Sequence, residues 1–196
     1  MIGKKIKLED IAELRVGLVV RRKEAQNKSE TARSYKLLTL KNFKEPGVLD
    51  LAQVDVFAST EILDERYLTN KGDVVVRLSE PNSAVIITEA TEGMLVPSNF
   101  AIIKLTTKKI LPSYLSFYLN SNYAKRFYAK KLVGTTIKIM QTRNLKEIEV
   151  IVKPLELQKK IIEIDELILK ERSLLKNLIE EKETYNKGIM QKLMEY

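Results

Sequence analysis

The sequence predicts an α+β fold, in which a mixed or antiparallel sheet is followed by one long C-terminal α-helix. Between residues 69 and 105, short β-branched segments alternate with turn residues, which is typical of such sheets. From residue 154 onward, apolar side chains recur in steps of three and four, which is the period of an amphipathic helix. These two observations divide the chain into a compact domain, residues 1–153, and a long helix, residues 154–196.

Each predicted strand of the compact domain is a short apolar run. Gly, Pro, Asn or Asp residues at 45–47, 71–73, 80–83 and 92–93 mark the turns between several of these runs. Leu8, Ile11 and Leu14 stand at helical spacing and predict a short helix over 7–14, whereas the polar stretch 24–34 predicts an exposed loop. The predicted strands are residues 35–40, 51–58, 74–78, 84–88, 94–96, 100–105 and 148–152.

The stretch 111–132 changes to a helical period. Pro112 suits the first turn of a helix, and Gly134 is placed to end it. Six of the thirteen aromatic residues lie between Tyr114 and Tyr128. This cluster predicts core packing, and the alternative is a platform on which nucleic-acid bases stack.

The C-terminal helix has an apolar seam of the kind that pairs with another helix. The positions along this seam are Ile161, Ile164, Ile168, Glu171, Leu175, Leu178, Lys182, Tyr185, Ile189 and Lys192. Leu167, Leu174 and Ile179 lie beside the seam, so the stripe is wider than a two-helix coil requires and predicts a further neighbour. The alternative is an ordinary terminal helix packed on its own domain. A rod of roughly 55 Å at 1.5 Å per residue disfavours it.

The composition narrows the classes of function. The 196 residues carry a net charge of +8, which favours a polyanionic partner, nucleic acid before an anionic membrane. Cysteine and histidine are absent, which removes disulfides, thiolate metal sites and the usual general base. No apolar run reaches the roughly 18 residues of a membrane span, and the acidic N-terminus does not resemble a signal peptide. These features suit a cytoplasmic chain.

The motifs of an autonomous enzyme are absent from the sequence. There is no GxxxxGK[ST] phosphate loop and no GxGxxG fingerprint, and the chain has seven glycines in all. Carboxylate pairs such as Glu61 with Asp64 lie in charge-rich stretches, where nothing gives the two groups different roles. The sequence therefore predicts a non-catalytic protein with no cofactor and no metal of its own.

Two groups of polar and cationic residues are candidates for contact with double-stranded DNA. Lysine and arginine neutralise phosphates, whereas Gln, Asn and Arg also read base edges with paired hydrogen bonds. For any single residue, an ordinary surface position is the alternative. The first group is Arg15, Arg21, Arg22, Lys23, Lys28 and Arg33; the second is Lys130, Lys131, Thr135, Thr136, Lys138, Gln141, Arg143 and Asn144.

Several segments, taken in order, resemble a known family. The chain opens with KLEDIAELRVGLVVR, continues with LTNKGDVVVRLSEPNSAVI, LVPSNFAIIKL and ILPSYLSFYLNS, and leads through GTTIKIMQTRNLKEIEVIVKPLELQKKI to a helix that ends in GIMQKLM. This order resembles the specificity subunit of type I restriction–modification systems over nearly the whole chain. The likeness rests on loose, mostly structural motifs. It implies a target recognition domain that binds DNA and a helix that forms a coiled coil.

One departure from the family pattern is informative. Members usually carry two recognition domains and two long helices, whereas this chain has one of each. The resemblance therefore implies a half-length specificity subunit that homodimerises, and the initial Met1 favours a natural half-subunit over a truncated chain. It also implies methyltransferase subunits as partners, which use S-adenosylmethionine, and in some systems a nuclease subunit. The approach to the helix, Lys153-Pro154-Leu155, is less proline-rich than in many members.

The charged residues in the seam favour an antiparallel homodimer. In a parallel pair in register, Glu171 would face Glu171 and Lys182 would face Lys182. In an antiparallel pair, one register places Glu171 opposite Lys182 at two symmetric positions. In this register the numbers of two facing residues add up to 353. It is chosen because it pairs these charges. The sequence thus predicts a DNA-recognition subunit that reads a bipartite, inverted target. The alternative is a coiled-coil scaffold that does not bind DNA specifically.

Overall fold

The computed structural model describes residues 3–43, 47–80, 82–132 and 139–195. By compactness the chain divides into two units, Met1–Gln158 and Lys159–Tyr196. The predicted domain boundary after residue 153 stays a prediction, since compactness does not measure independent folding. The strands are β1 (Lys4–Lys7), β2 (Ala12–Val16), β3 (Arg33–Leu37), β4 (Asp55–Ser59), β5 (Val74–Arg77), β6 (Ala84–Ile86), β7 (Phe100–Leu105) and β8 (Glu149–Val152); the helices are α1 (Pro112–Asn120), α2 (Asn122–Leu132), α3 (Thr142–Lys146) and α4 (Leu155–Met194).

A four-stranded antiparallel sheet with the order β2-β7-β5-β6 forms the centre of the first unit. Val75 lies opposite both Ile102 and Val85, and these side chains share one face with Phe100. Residues from the loops cover that face, and the ring of Phe43 stacks on Phe100 with 5.0 Å between the centroids. Because side chains alternate along a strand, the opposite face is left for α1, which contacts β5 and β6.

Strands β3 and β4 form a separate antiparallel pair with a small core of its own. Tyr35 lies opposite Phe57, and both pack with Leu63 and Leu95. The Tyr35 hydroxyl accepts a hydrogen bond of 2.9 Å from the backbone N–H of Leu63, which ties the following loop to the strand pair. The predicted strand 94–96 does not form a regular strand. Leu95 instead makes one isolated bridge to Leu37 and one to Leu68.

The beginning of the chain differs from the prediction. Residues 7–14 do not form a helix: Leu8–Asp10 form a single 3-10 turn, and β2 follows directly. Leu8 and Ile11 are fully buried, whereas Leu14 lies in β2 opposite Ile103. Their helical spacing is therefore a coincidence of a turn followed by a strand. Beyond β2 the chain passes so close to its neighbours that a Cβ on Gly17 would lie 2.2 Å from the carbonyl oxygens of Val96 and Pro97.

The predicted helix 111–132 is two helices, since the chain bends at Ser121. The Ser121 hydroxyl accepts a hydrogen bond of 3.4 Å from the backbone N–H of Ala124, as a residue that caps the second helix does. Three of the six aromatic residues of this stretch, Tyr114, Tyr118 and Tyr128, are buried. The interpretation as core packing holds for these three. Gly134 lies outside the described residues.

Strand β8 connects α3 to the long helix and is held on both edges. One edge pairs with β1, where Ile6 lies opposite Val150. On the other edge, the Tyr114 hydroxyl donates a hydrogen bond of 2.8 Å to the Ile151 carbonyl oxygen. The Tyr118 hydroxyl donates one of 2.9 Å to the Glu149 carbonyl oxygen. Buried tyrosines thus satisfy carbonyl groups on an edge of β8 that pairs with no strand among the described residues.

The first turn of α4 is fixed within the first unit by Gln158, whose side chain is fully buried. Its Oε1 accepts a hydrogen bond of 2.9 Å from the backbone N–H of Leu111. Its Nε2 donates to the carbonyl oxygens of Lys109 at 2.8 Å and Lys153 at 2.7 Å. Only an amide side chain both accepts and donates in this way, so a glutamine suits this position.

We predict that Gln158→Leu lowers the free energy of unfolding by about 2 kcal/mol or more, because it leaves one buried donor and two buried acceptors without partners. Thermal unfolding followed by circular dichroism measures this loss. Gln191→Leu, at an exposed position of the same helix, is the matched control and should change the melting temperature little. Equal melting temperatures for the two variants would show that the Gln158 hydrogen bonds contribute no stability.

Candidate nucleic-acid interface

The first group of predicted DNA contacts gathers around β3 and β4, except for Arg15. Glu24 and Arg33 both lie opposite Ser59, so the loop that carries Arg21, Arg22 and Lys23 runs beside the strand pair. Arg21 and Arg22 form the last turn of a short 3-10 helix and are exposed, as is Lys28.

Two cations of this group already have partners within the chain. Lys23 forms an ion pair of 2.8 Å with Glu61, and the Arg33 guanidinium lies 5.3 Å from the centre of the Tyr35 ring. The Lys23 ion pair is partly exposed and the Arg33 side chain is exposed, so both contacts are weak and neither prevents an exchange for a phosphate. Lys23 was one of the predicted DNA contacts, whereas the sequence did not predict Glu61 as its partner.

Arg15 lies on β2 in the four-stranded sheet, opposite Ile102. Its Nε is buried and has no hydrogen-bond partner in the described part of the chain. Arg15 lies near enough to the buried Asp73 to lower the pKa of that carboxyl, as Lys104 also does. Burial has the larger effect and raises the pKa of Asp73 above its ordinary value. Arg15 therefore interacts with the charge of an internal carboxylate.

The second group lies at the end of α2 and in α3. An ion pair between Lys131 and Glu147 joins the last turn of α2 to the residue after α3. The hydrogen bond from Lys131 lowers the pKa of the Glu147 carboxyl. Gln141 and Arg143 are exposed, and α3 is anchored by the buried Leu145. Thr135, Thr136 and Lys138 lie outside the described residues.

Helix α3 presents the predicted base-reading residues from one short turn. Gln141 is its N-terminal cap residue, Arg143 follows in the first turn, and Asn144 is half-buried. Guanidinium and carboxamide groups form the paired hydrogen bonds that distinguish guanine and adenine edges. The structure thus brings these three residues together with Lys131. In the part of the chain that is described, no hydrogen bond or ion pair joins this group to the residues around β3 and β4.

The sequence did not select two exposed cations of α2, Lys125 and Arg126. The stretch 122–132 contains four cations and no acidic residue. That charge pattern could have identified Lys125 and Arg126 as candidates for DNA contact. The aromatic residues among the cations instead led to the prediction that this stretch packs in the core. Arg126 Nε donates a hydrogen bond of 3.3 Å to the Asn122 carbonyl oxygen, within its own helix.

The second unit presents the predicted dimerisation seam on a helix of forty residues. Ile164, Ile168, Leu175, Leu178, Tyr185 and Ile189 are between 40% and 69% exposed, and Glu171 and Lys182 are exposed as well. Ile161, near the start of the unit, is half-buried. Exposed apolar residues in such a continuous row indicate a surface that binds another molecule.

Two searches of the described residues concern metal ions and membranes. No group of three or more His, Cys, Asp or Glu side chains in these ranges is arranged to hold a metal ion. Among the helices that the structure describes, none combines the length and the apolar character that crossing a bilayer requires.

The sequence profile of one protein family, the type I restriction modification DNA specificity domain, matches residues 3–184. The chain belongs to this family. The predicted resemblance is therefore confirmed. Because members of this type I specificity family are specificity subunits, the prediction of a non-catalytic subunit is confirmed with it. A comparison with curated protein sequences gave no match.

Solved structures from type I systems share the fold. One belongs to a study of complex assembly and conformational transition of the type I R-M system; it gives a TM-score of 0.65 at 14% identity and covers 95% of this chain and 43% of the other. The HsdS subunit from Thermoanaerobacter tengcongensis gives 0.64 at 14% identity, covering 96% and 47%. The S subunit from M. genitalium gives 0.50 at 16% identity, covering 90% and 41%.

These matches confirm the α+β fold with antiparallel sheets and a long C-terminal helix. At such low identity they show the fold alone. The specificity chain described here spans less than half the length of each solved chain that it matches.

We predict that Asp73→Asn makes the stability of the protein less dependent on pH above about pH 4, the ordinary pKa of an aspartate. Because the folded state raises the pKa of Asp73, it binds more protons than the unfolded state between the two pKa values, so this group's contribution to stability falls as pH rises. Urea unfolding at several pH values measures the difference. Asp10→Asn, an exposed position, controls for the removal of a negative charge. A variant with wild-type pH dependence would contradict the prediction.

Proposed function

We propose that this chain is the sequence-reading subunit of a type I restriction–modification complex. The observation that carries the proposal is its membership of the DNA specificity family, over residues 3–184. The net charge of +8 and the grouped cations support binding to duplex DNA, because each phosphate contact releases counterions and adds affinity. Gln141, Arg143 and Asn144 on α3 are the proposed base readers.

The proposed subunit works as a homodimer that pairs α4 with its copy in antiparallel orientation. The exposed seam supports this role, since burying its apolar side chains would stabilise the pair. When Glu171 faces Lys182, Leu175 faces Leu178 and Ile168 faces Tyr185 in the same register. The starts of the two helices would then lie about 50 Å apart at 1.5 Å per residue, which is about one and a half turns of DNA.

Two recognition domains related by a two-fold axis would read identical half-sites in inverted orientation. Between the half-sites lies a spacer that neither domain reads. Leu167, Leu174 and Ile179 lie beside the seam and are exposed, which supports a further helix as neighbour. We assign that position to methyltransferase subunits. They would bring S-adenosylmethionine to the complex, which would act in the cytoplasm and in some systems include a nuclease subunit.

Methylation mapping of cells with and without this protein tests the proposed function. The expected result is a bipartite, inverted motif that is methylated only when the protein is present. The alternative, a coiled-coil scaffold without specific DNA binding, predicts no change in the methylated motifs. An unchanged methylome in cells that produce the protein and its methyltransferase partners would overturn the proposal.

We predict that Glu171→Lys weakens self-association about tenfold, because it places Lys opposite Lys in two symmetric layers, each worth up to about 1 kcal/mol. Adding Lys182→Glu should restore the wild-type affinity, since the pairs are then reversed and not removed. Sedimentation velocity over a range of concentrations measures both changes.

Glu166→Lys makes the same change of charge on the exposed polar side of α4 and should leave the dimer intact. A parallel pair in register gives a different result, because Glu171 then faces its own copy and reversing its charge keeps like charges opposed. An unchanged sedimentation profile for Glu171→Lys would thus rule out the antiparallel register.

A further inference from the structure

One exposed face of α2 combines aromatic rings with positive charge. Tyr123, Arg126, Phe127 and Lys130 stand three and four residues apart, so they share one side of the helix. They line a shallow groove of about 230 Å³. The opposite side of the helix, with Ala124 and Tyr128, is buried and holds α2 on the body of the protein. We call the residues of this groove the α2 face.

The acidic residues beside α2 are already paired with cations outside the α2 face. Glu147 pairs with Lys131, and Glu149 forms an ion pair of 3.2 Å with Lys5. In the described ranges, no ion pair engages Arg126 or Lys130, and both are exposed. The α2 face therefore carries two positive charges that no ion pair in the described chain offsets.

Tyr123 makes surface contacts at the edge of this face. Its hydroxyl lies 3.4 Å from a carboxylate oxygen of Glu149, and the Lys5 ammonium lies 5.7 Å from the centre of its ring. Phe127 is half-buried, and the Lys131 ammonium lies 5.7 Å from its ring centre. Aromatic surface and the two free cations therefore adjoin in the same groove.

We infer that the α2 face binds the sugar–phosphate backbone of duplex DNA; this inference rests on the proposed function. Arg126 and Lys130 are one turn apart, about 6 Å at 1.5 Å per residue, close to the rise of two nucleotides along one strand at about 3.4 Å each. The two rings supply an apolar surface against which deoxyribose packs. An acidic protein is a weaker candidate, because a stable protein interface buries about 800 Å² per partner and this groove offers only two rings.

The α2 face differs in kind from the proposed base readers on α3. Phosphate contacts set affinity and position but carry no sequence information. Removing them therefore weakens binding to every duplex alike, whereas substitutions of Arg143 or Asn144 would change the preferred sequence. A duplex of random sequence is consequently a sufficient probe, and the target need not be known.

The experiment measures binding of the full-length chain to a labelled random-sequence duplex by fluorescence anisotropy, between about 50 and 200 mM salt. The test variant carries Arg126→Gln and Lys130→Gln. It should lower the slope of log affinity against log salt by about 1.8, or about 0.9 for each phosphate that the variant no longer neutralises. Affinity at low salt should fall by about tenfold or more.

The matched control carries Lys176→Gln and Lys187→Gln, two exposed lysines on the polar side of α4 with the same total change of charge. Its slope should stay near that of the wild type. Equal reductions of the slope in both double variants would overturn the inference, since diffuse net charge would then account for binding. A second variant with Arg126→Lys and Lys130→Arg keeps the charges and should keep the slope, and circular dichroism confirms that each variant folds.

The outcomes separate this inference from the proposed function. If the wild type binds DNA with a normal salt dependence and the α2 variant does too, only the α2 inference fails. The face would then be left for an acidic protein. If the wild type does not bind duplex DNA at any salt concentration, the proposed function fails, and the inference fails with it.

Discussion

The buried side-chain amide of Gln158 joins the start of α4 to a segment 47 to 49 residues earlier in the chain. It bonds the backbone before α1, at Lys109 and Leu111, and also the carbonyl oxygen of Lys153, just after β8. The first turn of a helix has N–H groups without partners within the helix, so it needs packing or hydrogen bonds to stay formed. Here the buried side chain of Gln158 ties that turn to the backbone of Lys109 and Leu111, which fixes the start of the helix on the first unit.

The distribution of acidic residues determines which cations remain available to a polyanion. Lys23, Lys131 and Lys5 each have an acidic partner, whereas Lys125, Arg126 and Lys130 have no ion-pair partner among the described residues. The net charge does not distinguish paired cations from unpaired ones. Lys130 and Lys131 are neighbours in the sequence, yet only Lys131 has an acidic partner among the described residues. Lysine and arginine are in excess along the chain, but after folding only a small number of local sites have cations without an ion-pair partner among the described residues.

Much of the fold was predictable where a single local rule dominated. The strands that include Val75 and Ile102 were predicted correctly, because short β-branched runs between turn residues rarely form anything other than strands. Asn120, Ser121 and Asn122, all good capping residues, were a signal for the bend between α1 and α2 that the apolar pattern concealed.

Other elements depend on tertiary contacts that no short window of sequence contains. Leu95 is not part of a regular strand because its bridges to Leu37 and Leu68 are both isolated, so neither continues into a ladder. For the candidate site, the sequence identified Gln141 and Arg143 as exposed polar residues. It did not reveal that Lys131 is engaged by Glu147, because that pairing requires α2 and α3 to meet.

The tyrosine hydroxyls on β8 have a consequence for how copies of this protein meet. An unpaired strand edge invites a strand from another molecule, which leads to domain swapping or aggregation. Tyr114 and Tyr118 occupy the carbonyl groups on one edge of the β1–β8 pair, and the exposed Lys4, Lys5 and Lys7 make the β1 strand at the other edge repulsive to another lysine-rich strand. Both edges thus discourage intermolecular strand exchange. This protection matters for a protein whose long helix exposes apolar side chains, because contacts between such helices need not then compete with strand exchange.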